Sequence, residues 1–94
     1  MAKMGIIMNS LDNVVTALED IAEGEEIEYK IGKKKYSLKV KQFIPKGHKV
    51  AIKSIKAGEK IIKYGVPVGQ AKFDIEIGEH VHIHNVRSLR TEVI

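Results

Sequence analysis

Apolar and polar positions change period along this chain, and each change predicts a different element. Met4 to Met8 is a nearly unbroken apolar run suited to a buried strand, and Asn9-Ser10 behind it offers capping side chains. Leu11, Val14, Val15, Leu18, Ile21 and Ala22 then fall at helical spacing, with Asp12, Asn13, Glu19, Asp20 and Glu23 on the opposite side. This predicts one helix closed by Gly24, with Asp12 and Asn13 capping its first turn. From Glu25 the period falls to two. Ile27, Tyr29 and Ile31 alternate with charged residues, as do Tyr36, Leu38 and Val40 with Ser37, Lys39 and Lys41. With Gly32-Lys33-Lys34 between them, these runs predict an antiparallel hairpin.

The remainder repeats a short phrase. Ile44-Pro-Lys-Gly47-His-Lys-Val50, Ile55-Lys-Ala-Gly58-Glu-Lys-Ile61 and Ile75-Glu-Ile-Gly78-Glu-His-Val81 share one pattern, echoed earlier by Ile21-Ala-Glu-Gly24-Glu-Glu-Ile27. Glycine at the fourth place can take a positive φ without steric cost, and the flanking apolar residues can enter a core on either side of the turn. Irregular intervals between the copies argue against a solenoid. In Lys63 to Ala71, two glycines and a proline exclude a helix and imply a tightly bent backbone, either turning a strand corner or approaching a ligand. Residues 87–94 have no period and read as a tail. The expectation is a mainly β domain with one helix, built from short strands and glycine turns.

Candidate chemistry is concentrated in Gly78-Glu79-His80-Val81-His82-Ile83-His84-Asn85. As an extended strand it directs Val81 and Ile83 to a core and His80, His82 and His84 to the other face. Residues two apart on a strand lie roughly 6.5–7 Å from each other, so two neighbouring imidazoles can share an ion with bonds of about 2.0–2.1 Å. The outer pair cannot without strong bending, which limits one ion to two of these ligands. A solvated polar face is the plain alternative. The remaining histidine, His48, follows a turn glycine, where a hydrogen bond to the turn would also explain it.

Composition narrows the picture. With 94 residues and 44% hydrophobic content the chain reads as one domain, 1–94, able to bury a core. So small a domain is poorly suited to enclosing a substrate by itself, which points to partner chains. Having no cysteine, the chain has no disulfide, thiolate ligand or thiol nucleophile. No apolar run reaches membrane-span length and Met1 to Met8 is too short for a secretory signal, so the expected location is cytoplasmic. The net charge of +4 is dispersed among glutamates, with few aromatics to stack bases, which argues against nucleic acid as the partner.

Asp12-Asn13-Val14-Val15-Thr16-Ala17-Leu18, Ile44 to Ala51, Ile62-Lys63-Tyr64-Gly65, Val68-Gly69-Gln70-Ala71 and Gly78 to Asn85 together resemble, in order, the amino-terminal domain of the altronate dehydratase family. That family includes altronate and galactarate dehydratases and sulfolactate sulfo-lyase. The resemblance implies an SAF-like β-clip fold and a small subunit that completes a β-elimination site with a separate large catalytic subunit, acting on a sugar acid with a divalent metal, usually Fe2+. It implies His48, His82 and His84 as catalytic residues, Lys49, Lys63 and Asn85 as substrate-binding residues, and His80, His82 and His84 as metal ligands, at most two on one ion. Homo-oligomerisation is compatible with it. Sulfolactate sulfo-lyase small subunit and non-catalytic SAF-type carbohydrate- or metal-binding module remain as alternatives. Two departures stand out: Val15-Thr16 replaces the usual Ala-Val pair, and Asn9-Ser10-Leu11 replaces a His-Pro pair, removing one possible histidine contact.

Overall fold

Among residues 2–88, which the computed structural model describes, the chain forms nine short strands and no helix. They are β1 (Lys3–Ile6), β2 (Val14–Ala17), β3 (Glu26–Ile31), β4 (Lys34–Lys39), β5 (Lys49–Ala51), β6 (Lys60–Lys63), β7 (Val66–Ala71), β8 (His80–Val81) and β9 (Val86–Ser88). One sheet has the order β4-β3-β1-β2-β5-β8 and the other β6-β7-β9, with β1 and β3 parallel and all other pairs antiparallel.

The hairpin expected at Ile27 to Val40 is present as β3 and β4. Gly32 opens its two-residue loop at φ 62°, as a type II′ turn requires, and Tyr29 and Tyr36 stack across it with centroids 5.5 Å apart. The four glycine phrases are four turns of one kind. Gly24, Gly47, Gly58 and Gly78 have φ of 88°, 85°, 90° and 93°, and in each the next residue's N–H donates to the carbonyl three positions back. Their leading isoleucines are buried and pair as Ile21 with Ile44 and Ile55 with Ile75. The irregular intervals now have a cause: hairpins β3–β4 and β6–β7 are inserted after the first and third turns, so one plan of turn, hairpin and turn is used twice.

The expected helix at residues 11–23 is not formed. Its centre is β2, where Val15 and Ala17 enter a cluster with Ile27, Val40 and Val50, and Val14 enters another with Ala51, Ile61 and Val81. A strand buried on both faces carries adjacent β-branched residues, and Val14-Val15 between two leucines happened to match a helical period. The leucines carry the difference: Leu11 and Leu18 are 67% and 48% exposed. Met4 to Met8 is likewise a one-sided strand and its extension, with Met4, Ile6 and Met8 exposed.

Without a helix to cap, Asp12 and Asn13 clamp the second hairpin. Tyr64 and Gly65 form its two-residue loop with φ of 55° and 75°, the pair of positive values that a type I′ turn demands. Asp12 is fully buried, and its Oδ2 and Oδ1 accept the N–H groups of Tyr64 and Gly65 at 3.0 and 2.7 Å. Asn13 accepts from Ile62 N–H at 2.8 Å and donates to the Lys60 carbonyl at 2.9 Å. Of the segment Lys63 to Ala71 only the Tyr64-Gly65 turn is tightly bent, held by Asp12 ahead of β2, and Val66 to Ala71 is the strand β7.

The first two residues of the stretch expected as a tail, 87–94, are part of a strand. Arg87 and Ser88 lie in β9, paired with Gln70 and Gly69, and residues 89–94 fall outside the described part. No helix of the described residues is long and apolar enough to cross a membrane.

Candidate functional site

The site begins with an exception to the turn rule. In three of the four turns, the residue after glycine is a glutamate whose carboxylate accepts the N–H three residues earlier: Glu25 from Ala22, Glu59 from Lys56 and Glu79 from Glu76, at 2.6–2.7 Å. In the second turn that earlier residue is Pro45, which has no N–H to satisfy, and the glutamate is replaced by His48. His48 is thereby relieved of the turn's side-chain hydrogen bond. It immediately precedes β5, which pairs with β8 so that Val50 stands opposite His80.

Three imidazoles meet there. His48 Nδ1 and His80 Nε2 are 2.8 Å apart, the His48 and His82 rings stack with centroids at 3.9 Å, and ring nitrogens of His48, His80 and His82 all lie within 4.8 Å of one another. The His48–His80 hydrogen bond needs an acceptor nitrogen, so the two rings cannot both be fully protonated. His84 tilts over His80 at 5.1 Å, and the three-nitrogen group does not include it.

The continuous strand expected over residues 80–84 is corrected. β8 ends at Val81, which is buried, and residues 82–85 form a turn that leaves Ile83 77% exposed instead of in the core. Asn85 makes this turn. Its Oδ1 accepts His82 N–H at 3.0 Å, its Nδ2 donates to the His80 carbonyl at 2.9 Å, and its own N–H donates to the His82 carbonyl at 3.1 Å. Gln42, which sequence reasoning passed over, accepts His80 N–H at 2.8 Å. The Pro45-to-His48 break in the repeated phrase was the available signal that His48 has a separate task.

Electrostatics favour neutral rings. Burial lowers the His80 pKa to about 4, with further lowering from His84, His48, His82 and Lys49, and burial followed by His48 lowers that of His82. Lys49 is also lowered, first by burial and then by Lys63 on β6, so the two lysines expected to bind substrate are electrostatic neighbours. Among the described residues neither has a carboxylate within ion-pair distance. Lys49 and His82 share a cavity of about 200 Å³ with Val68, Ile83 and Val86.

The depressed His80 value predicts a pH dependence. In the unfolded chain this ring titrates near 6.5, so the unfolded state binds more protons between about pH 4 and 6.5. The stability concerned is fully present above pH 6.5 and is lost as pH falls through 4. Allowing for screening of a part-exposed ring, the loss is about 1–2 kcal/mol. Urea titrations at pH 7.0 and 4.5 should show it, and the same comparison in His80→Gln should show a smaller difference; an unchanged difference would contradict the assignment.

Three imidazoles converging beside Lys49 define a small all-β domain with a polyhistidine site, a donor set suited to a zinc- or iron-class divalent ion. Tetrahedral ligands around such an ion stand about 3.3 Å apart, within the spread of these nitrogens, so the residues present fit a metal. The altronate/galactarate dehydratase SAF domain matches residues 3–89, and the chain belongs to that family. It is 42% identical over 92 residues to altronate dehydratase of Bacillus subtilis (strain 168), covering 97% of this chain and 18% of that protein. It is 42% identical over 83 residues to the Escherichia coli (strain K12) altronate dehydratase, 88% of this chain and 16% of that protein. It is 47% identical over 55 residues to (2R)-sulfolactate sulfo-lyase subunit alpha of Paracoccus pantotrophus, covering 58% of this chain and 82% of that subunit. The chain therefore spans less than a fifth of the altronate dehydratases it matches.

Proposed function

We propose that this chain is the small subunit of a sugar-acid hydro-lyase of the altronate dehydratase kind, contributing a histidine site that a separate large catalytic subunit completes. The observation that carries this reading is the convergence of His48, His80 and His82 from two turns and a strand in a domain of this family. The reaction breaks a C–H bond beside a carboxylate and a C–O bond on the next carbon. The proton and hydroxide leave as water, and a C=C bond remains.

His48, His80 and His82 would hold a divalent cation, Fe2+ on the family resemblance, which supplies Lewis-acid stabilisation for the developing enolate. The lowered values of His80 and His82 keep their lone pairs available at neutral pH. His84, exposed and outside the trio, would exchange a proton with substrate. Lys49 and Lys63, neighbours with no carboxylate partner among the described residues, are suited to a substrate carboxylate. Asn85 acts through its hold on the His80–His82 backbone. The relation to a sulfo-lyase alpha subunit supports a second reading in which sulfite leaves in place of water.

Reconstitution with the large subunit tests this. The mixture should dehydrate altronate or galactarate, and His82→Ala should lower kcat by about 100-fold or more. Release of sulfite from sulfolactate with no sugar-acid turnover would select the second reading. Full activity in both His48→Ala and His82→Ala would exclude this site from the chemistry.

A further inference from the structure

The cavity beside the histidines has walls of a different chemistry from the trio. Lys49 stands opposite Val81 on β8, on the face that carries the second core cluster, whereas His48 and His80 stand on the face of Val50. The β5–β8 pair therefore separates the cavity from the His48–His80 contact. His82, which follows the end of β8, reaches both: its ring stacks on His48 at 3.9 Å and also lines the cavity. Val68 and Val86 pack against the second cluster and, with Ile83, form apolar walls, while Lys49, His82 and Ser88 supply the polar groups. Lys49 is partly buried, and among the described residues its ammonium has no carboxylate within ion-pair distance. A cation drawn partly out of water gains most from an anion, and the cavity has room for one. Its volume of about 200 Å³ exceeds the roughly 150 Å³ that accommodates benzene, so a four-carbon acid fits, or the carboxylate end of a longer one.

What the walls lack decides the ligand. The side chains of Val68, Ile83 and Val86 offer no hydrogen bond, so a hydroxyl pressed against them gives up water without a replacement. A methylene gives up nothing. Loss of water from a sugar acid makes that same change. The C=C bond it leaves carries the hydroxyl of the carbon next to the carboxylate, and this enol becomes a ketone when the O–H proton moves to the following carbon, which is then a CH2 group. We infer that the cavity binds the carboxylate end of a 2-oxo-3-deoxy acid, the dehydrated form, in preference to the polyhydroxy acid. The inference rests on the hydro-lyase reading above and gives that site a product side. Lys49 holds the carboxylate, His82 faces the 2-oxo group, and Val68, Ile83 and Val86 enclose the CH2 group. Product that accumulates then competes with substrate for Lys49.

A nuclear magnetic resonance titration of the metal-free chain tests this with 2-oxobutyrate and threonate, four-carbon monocarboxylates of equal charge that differ in hydroxylation. 2-Oxobutyrate should shift the resonances of Lys49, Val68, Ile83 and Val86 saturably, and threonate should bind about tenfold more weakly or worse. Lys49→Met should weaken 2-oxobutyrate about tenfold. Ile83→Thr, at a position 77% exposed where folding is not at stake, puts a hydroxyl into the wall and should narrow the preference about threefold. Val86→Thr, which keeps the shape of the side chain, should do the same. Equal binding of the two acids, shifts scattered over other lysines, normal 2-oxobutyrate binding by Lys49→Met, or no binding at all overturns the inference. The hydro-lyase reading fails separately. Full turnover of the reconstituted enzyme with His48→Ala and with His82→Ala, while the chain still prefers 2-oxobutyrate, sinks that reading and leaves the cavity's preference standing. Lost turnover in those variants without a preference between the acids keeps the reading and overturns the cavity inference.

Discussion

Asp12→Ala should cost about 2–4 kcal/mol in a urea titration, a large part of the stability of a domain this size. The substitution removes both acceptors from the type I′ turn. Tyr64 and Gly65 N–H then lose bonds of 3.0 and 2.7 Å in a part-buried position. Each orphaned donor carries a penalty of about 1–3 kcal/mol, reduced where water can enter. The turn has little tolerance for the loss, because Tyr64 sits at φ 55°, a value unfavourable for a bulky residue. Gly65, at φ 75°, likewise disfavours any residue with a side chain. Asp12→Asn keeps one acceptor oxygen but turns an NH2 group toward the other donor, so an intermediate loss of about 1–2 kcal/mol is expected. A change below about 1 kcal/mol for Asp12→Ala would mean that water takes over both N–H groups and that the clamp is not what holds the β6–β7 hairpin.

His48→Ala should abolish most divalent-metal binding, whereas His84→Ala should leave it nearly intact. Calorimetric titration of the chain with zinc separates the two arrangements of the site. In the folded geometry, the nitrogens of His48, His80 and His82 converge within 4.8 Å, and removing one of three ligands should weaken binding about 100-fold or more. His84 lies against His80 outside that group, so His84→Ala should change the affinity by about threefold at most. The opposite result, with His84 essential and His48 dispensable, would restore the strand-row arrangement and overturn the three-histidine site. The 2.8 Å contact between His48 and His80 adds a spectroscopic handle, because their ring resonances should shift together on metal addition.

Local signals and tertiary facts separate cleanly in this chain. The β3–β4 hairpin was legible because period-two alternation and Gly32 act over a few residues and depend on nothing distant. The glycine phrases were legible for the same reason: a positive φ and an apolar residue on each side of a turn are short-range requirements. The segment from Leu11 to Glu23 was misread because spacing alone does not distinguish a helix with one apolar face from a strand between two cores. Burial of Val14 and Val15 in different clusters exists only after β2 has neighbours on both sides.

For the site, the sequence supplied the histidines and the family, and it placed Val81 in the core. It could not supply the company His48 keeps, since residues 48 and 80 meet only through the pairing of β5 with β8. Nor could it end β8 at Val81, because that break is made by Asn85 closing hydrogen bonds onto residues 80 and 82. Asp12 was read as a helix cap for a related reason: a carboxylate before an apolar run satisfies N–H groups in either setting, and the donors 52 and 53 residues away are absent from local sequence. The sequence by itself determined the turns, the first hairpin and the inventory of imidazoles and lysines. Tertiary structure alone decided which of them converge, because strand pairing across the sheet, not spacing along the chain, sets the distance between His48, His80 and His82.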